Sequence, residues 1–69
     1  MGVVFTKGEI TAINKETLEI YLEDKNAIIV LFYNPKKLYK VEDIEVGFKI
    51  NFLYDKKDKT IYRLDVIKK

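Results

Sequence analysis

Cysteine, histidine, tryptophan, serine and glutamine are all missing from this 69-residue chain. Without cysteine there is no disulfide to reinforce the fold and no thiolate nucleophile. Without histidine the usual imidazole base is gone, and with it the commonest zinc and copper ligand. The four threonines are the only aliphatic hydroxyls, and none has an evident base beside it in the sequence. Glycine and proline are scarce, at three and one residues, so regular segments are rarely broken. No apolar run is long enough for a leader peptide or a membrane span. The expected compartment is therefore the cytoplasm, although Met1-Gly2 reads equally as a native start or as the edge of an excised domain.

Charge of one sign is also in short supply. Thirteen basic side chains meet eleven acidic ones, for a net charge of +2. A protein that lives by gripping phosphates is usually far more basic. What dominates instead is lysine, glutamate and isoleucine. Two origins fit that bias: a thermophile, rich in Lys and Glu and poor in labile side chains, or a designed sequence with strong strand formers inside and mixed charges outside. Both imply a thermostable chain. Residues 1–69 read as a single small domain whose stability rests on packing alone.

The organising stretch is Ala27-Ile28-Ile29-Val30-Leu31-Phe32-Tyr33, the longest uninterrupted apolar run. Polar Asp24-Lys25-Asn26 precedes it and Asn34-Pro35 follows, so it reads as a strand that needs cover on both faces. Strands on either side of it alternate more cleanly. Val3 to Asn14 forms a first strand with Gly8 inside it, which predicts a bulge or sharp bend. Asn14-Lys15-Glu16-Thr17 is a polar hairpin turn. Leu18 to Asp24 places Leu18, Ile20 and Leu22 on one face and Glu19, Tyr21 and Glu23 on the other.

After the apolar run the texture changes. Asn34-Pro35 resembles a helix start, Leu38, Val41 and Ile44 recur every third residue, and Gly47 sits where a capping glycine would. The spacing predicts a short helix over Pro35 to Val46. Phe48, Ile50, Phe52 and Tyr54 then give a fourth strand. Asp55 to Thr60 is a polar hairpin loop. Ile61 to Ile67 makes a fifth strand, with Tyr62, Leu64 and Val66 on one face and Arg63 and Asp65 on the other.

Three meandering strands, a helix and a hairpin follow the order of an OB-fold. The expected fold class is all-β with one short helix: a five-stranded, OB-like Greek-key barrel with the helix between strands 3 and 4. Gly8-Glu9-Ile10-Thr11-Ala12-Ile13, the Ile44-to-Phe52 stretch and Leu64-Asp65-Val66-Ile67 resemble the pattern of minimal OB domains. Periplasmic copper-chaperone OB domains and RNA-binding OB modules share it. The resemblance spans Gly8 to Ile67, and its motifs record sheet geometry more than chemistry.

Copper binding, which the resemblance implies, fails on the residues. Soft copper needs thiolate, thioether or imidazole, and the only such group is the thioether of Met1. No metal or other cofactor is expected. Two carboxylate groups, Glu42-Asp43-Glu45 and Asp55 with Asp58, read as a solvated helix end and a solvated turn. No enzymatic activity and no small-molecule substrate are inferred.

Two binding readings remain, beside that of a designed scaffold with no native ligand. In a small barrel only one face of the apolar strand turns inward. If Ile29, Leu31 and Tyr33 do so, then Ile28, Val30 and Phe32 need other cover. That points to a protein partner or self-association through the third strand. The alternative is single-stranded nucleic acid, with bases stacked on Tyr33 and Tyr39 and phosphates followed by Lys36, Lys37, Lys40, Lys56, Lys57 and Lys59. Against it, Glu19 and Glu23 flank Tyr21 on the face where OB domains usually receive the strand.

Overall fold

The computed structural model describes residues 2–33 and 44–69. Five strands form: β1 (Val3–Ile13), β2 (Thr17–Leu22), β3 (Ala27–Phe32), β4 (Lys49–Asp55) and β5 (Thr60–Lys68). They join in the order β1-β2-β3-β5-β4, and the sheet closes on itself because β4 also pairs with β1. All the ladders are antiparallel except that between β3 and β5.

β1 makes the curl possible by serving two partners in turn. Its first half, Val3 to Glu9, pairs with β4, and its second half, Glu9 to Ile13, pairs with β2. Gly8 lies at the exchange. A Cβ there would stand 2.5 Å from the Tyr21 carbonyl oxygen and 2.6 Å from Ile20 Cγ2. Only a residue without a side chain lets the two backbones approach so closely. The register with β2 then shifts between Ile10 and Ala12, leaving Thr11 as the extra residue of a bulge.

The alternating residues of these strands meet in one apolar interior. Ile10, Leu18, Ile20, Leu31, Ile50 and Phe52 are fully buried, with Leu22, Tyr33, Ile44, Tyr54 and Ile61 nearly so. No polar or charged residue is buried among the described residues. Phe52 is the largest fully buried side chain, and its ring packs at a tilt on Tyr54 with 5.8 Å between centroids. The two buried tyrosines lie where the core meets the rim, as amphipathic rings commonly do.

Three structural expectations need correction. The first concerns the fold class. No helix occurs among the described residues, and most of the expected Pro35–Val46 helix falls at 34–43, outside them. The part that is described, 44–46, is irregular chain entering a turn. Gly47 has φ of 100°, and the Phe48 N–H donates to the Glu45 carbonyl at 3.1 Å. Those are the marks of a type II turn with glycine at its third position. The positive φ that suits a helix cap suits this turn equally, which is why the sequence misled. The expected OB-like Greek-key barrel with a helix between strands 3 and 4 is corrected accordingly. What forms is a five-stranded, mostly antiparallel sheet of OB-like topology, and β3 meets β5 at one residue pair, Phe32 with Thr60.

The second correction concerns β5. Tyr62 does not share a face with Leu64 and Val66. Leu53 pairs with Arg63 and Tyr54 with Ile61, so Tyr62 is skipped, and it turns outward while Ile61 goes inward. An inserted residue reverses the alternation beyond it, which no periodicity reveals. The third correction, to the role expected of Tyr33, belongs with the surface it concerns.

The two glycines fail differently when changed. Gly8→Ala meets a backbone oxygen and is expected to destabilise by roughly 1–3 kcal/mol, the range of an overpacked core. A Cβ at position 47 meets nothing within 4 Å. Gly47→Ala therefore carries only the backbone strain, on the order of 1 kcal/mol. Denaturant unfolding of both variants checks the order: an equal loss, or a larger one at position 47, contradicts the close-approach account of Gly8.

Candidate interaction surface

β3 is apolar at every position, but the sheet can use only half of it. Leu31 is fully buried, Ile29 packs against the core, and Tyr33, just beyond the strand, is 7% exposed. The alternate residues face out. Ile28 is 59% exposed, Val30 52% and Phe32 53%. Their cross-strand neighbours on β2 are Tyr21, Glu19 and Thr17 in turn. The result is an apolar row flanked on β2 by Tyr21, Glu19 and Thr17.

The surroundings of the row are tied down. The Tyr21 hydroxyl donates to Asn26 Oδ1 across the β2–β3 turn, where Asn26 has φ of 49°. Thr11 Oγ1 lies 2.9 Å from Glu19 Oε2 and 3.1 Å from the Glu19 carbonyl. Glu23 forms an exposed ion pair with Lys49 at 3.3 Å. These contacts fix the acidic side of the row without covering its apolar side.

At the far end of β3 the β4–β5 loop stands alongside. The Phe32 N–H donates to the Lys59 carbonyl at 2.7 Å. The loop holds Lys56, Lys57 and Lys59 exposed, around Asp58. Its shape comes from local hydrogen bonds. Asp55 Oδ1 accepts from the Lys57 N–H at 2.7 Å, and Asp58 Oδ1 accepts from the Thr60 N–H at 2.9 Å. Asp55 and Asp58 are thus turn formers. The Tyr62 hydroxyl donates to Asp58 Oδ2 at 2.6 Å, and this bond holds the carboxyl below its ordinary range. The same bond raises the Tyr62 phenol.

Of the residues expected to contact nucleic acid, Tyr33 is misplaced for that role. Its ring is in the core and its hydroxyl donates to the Asn14 carbonyl at 3.0 Å, so it presents no face to a base. Lys56, Lys57 and Lys59 are on the exposed loop, while Lys36, Lys37, Tyr39 and Lys40 lie outside the described residues. The carboxylates Glu42 and Asp43 lie outside them too. No group of three or more metal-ligating side chains occurs among the described residues.

Sequence reasoning passed over Phe5, which is 62% exposed. It sits on the outer face of β1, beside Leu53 of β4. The signal was present in β1, where Val3, Phe5 and Lys7 alternate with the inward-leaning Val4, Thr6 and Gly8. An open cleft lined by Lys7, Gly8, Glu23, Lys49, Ile67 and Lys68 was also unforeseen, because its residues come from three strands and a turn.

The strand number, order and register define an OB-fold of minimal size. Among solved structures, the chain is similar to that of apo-CusF, residues 6–88, from Escherichia coli. The match covers 96% of this chain and 88% of that one, with a TM-score of 0.73 and 14% sequence identity, a likeness of fold alone. No family model matches the chain, and neither does any curated protein. The cytoplasmic address expected from the sequence does not stand: the similar solved structure, CusF, is of a periplasmic protein, and a likeness of fold alone assigns this chain no compartment of its own. No helix among the described residues is long and apolar enough to cross a membrane.

The Asp58–Tyr62 bond gives a test of the loop geometry. A carboxyl titrated by NMR is expected to show a midpoint below the ordinary aspartate value, returning toward it in Tyr62→Phe. The linkage sign follows. With the folded Asp58 value depressed, its small stabilisation is present above the unfolded value and lost as pH falls through the folded one. Identical midpoints in the two proteins contradict the bond.

Proposed function

We propose that this protein is a non-enzymatic interaction module that docks a protein partner through the outer row of β3. One observation carries the reading. Ile28, Val30 and Phe32 are successive outward positions on one strand, and each is more than half exposed. Fully burying such a side chain contributes about 1.5–3 kcal/mol, so leaving three half uncovered forgoes several kcal/mol. A single exposed apolar residue needs no explanation, whereas a contiguous row on a sheet border does. The nucleic-acid reading keeps Lys56, Lys57 and Lys59 from its set among the described residues, and the exposed Tyr62 beside them is hydrogen-bonded to Asp58, a carboxylate that phosphates would meet in the same loop.

A hydrophobic dye reads the row directly. At dilute protein, bis-ANS is expected to bind the wild type and to bind the Val30→Lys/Phe32→Lys variant at least about fivefold more weakly. Both positions face solvent, so the melting temperature should shift by no more than a few degrees. Equal dye binding by the two proteins places the accessible apolar surface elsewhere and removes the basis of the reading.

A further inference from the structure

The open cleft beside Gly8 takes no residue from β3. Lys7 and Gly8 of β1, Lys49 of β4, and Ile67 and Lys68 of β5 line it, together with Glu23 from the β2–β3 turn. Strand pairing sets these positions. Lys49 and Lys68 stand directly opposite each other on neighbouring strands, an arrangement that like charges disfavour. The register jumps from the Ile50–Val66 pair to the Lys49–Lys68 pair, so Ile67 is the extra residue of a bulge. Successive residues of a regular strand point to opposite faces. Ile67 and Lys68 nevertheless line the same cleft, because a bulge re-aims a side chain. Lys7 approaches from β1, two residues before Glu9, which pairs with Lys49.

The lining carries three ammonium groups and one carboxylate. Glu23 meets Lys49 at 3.3 Å, and both side chains are about half exposed. An exposed pair of this kind contributes little and is readily exchanged. Glu9, across from Lys49, is a second carboxylate close by, and the lysines still outnumber the acids. A cleft in which one sign of charge prevails concentrates ions of the other sign. Its volume is about 190 Å³, below the roughly 300–1,000 Å³ of pockets that hold drug-sized ligands. It suits a small anion better than a nucleotide or a length of chain.

We propose that this cleft binds a phosphate dianion, either free or as the head of a small phosphate monoester. The lysines act as point charges on the phosphate oxygens, and the anion offsets the opposition of Lys49 and Lys68. Glu23 competes with the anion for Lys49. Ile67, 51% exposed, gives the organic part of a monoester an apolar wall. The β4–β5 loop supplies a built-in comparison, since Lys56, Lys57 and Lys59 sit on one turn around Asp58 instead of on three strands. Binding at the cleft is independent of docking through β3, whose residues it does not use.

Titration of the full chain with inorganic phosphate, followed by proton–nitrogen NMR, tests this. At about pH 8 phosphate is mostly the dianion, its second pKa being about 6, and chloride holds the ionic strength constant. Saturating shifts are expected at Lys7, Gly8, Lys49 and Lys68, with a dissociation constant of about 1 mM. Lys68→Gln should weaken binding at least about fivefold, and Glu23→Gln should tighten it at least about threefold. Both positions are exposed, so the rest of the spectrum should stay that of the wild type. Lys57→Gln, on the β4–β5 loop, should leave the affinity within about 1.5-fold of wild type. Phenyl phosphate distinguishes the two sources. Binding at least about threefold tighter than inorganic phosphate, with shifts at Ile67, marks a monoester, and equal binding marks free phosphate. Shifts that do not saturate, or that are as large at Lys56, Lys57 and Lys59, overturn the assignment. So does a folded Lys68→Gln that binds like the wild type, or a Glu23→Gln that binds no more tightly.

Discussion

The Tyr21 carbonyl oxygen occupies the place a side chain at position 8 would need, and the shape of the molecule follows from that contact. β1 can leave β4 and join β2 only if its backbone lies almost against the β2 chain where the partners exchange. With the exchange, five short strands curl round one apolar interior whose floor is Ile10, Ile20, Ile50 and Phe52. Without it, β1 would follow one partner and the sheet would stay open. The bulge at Thr11 and the skipped Tyr62 are smaller adjustments of the same kind, each inserting a residue where a strand must turn.

Curling a sheet this small has a consequence for β3. The interior is filled by one set of alternating side chains, so a strand apolar on both sides has more to hide than the interior can take. Leu31 and Tyr33 are taken in, while Ile28, Val30 and Phe32 are left at the border. The backbone adds to this, because β5 reaches β3 at only one residue pair. Among the described residues, no strand pairs with the side of Ile28 and Val30 that faces away from β2. Docking through this strand is proposed because three successive outward side chains of one strand are left exposed there.

The sequence made much of this legible, and its failures have local causes. All five strands were readable because Leu18–Leu22 and Ile50–Tyr54 alternate and the turns between strands are rich in Asn, Asp and Lys. The outward set on β3 was readable from parity alone. Parity also argued against Tyr33 as a ligand contact, since it shares the side of Leu31. Tyr62 was misread because an inserted residue shifts the alternation without changing composition. Gly47 was misread because a positive φ serves a type II turn as well as a helix end. The cleft near Gly8 was invisible because it joins residues far apart in the chain.

The ladder between β1 and β4 pairs Val3 with Asp55 and Glu9 with Lys49, joining strands far apart in the sequence. The β1–β2, β2–β3 and β4–β5 ladders, by contrast, join neighbours through short turns. Closing a long loop costs entropy before its contacts return anything, so the order of assembly is constrained. The hairpins are expected to form early and the β1–β4 zipper late. Substitutions at Val4 would then speed unfolding more than they slow folding. The exchange that gives the sheet its curl is, on this account, among the last contacts the chain makes.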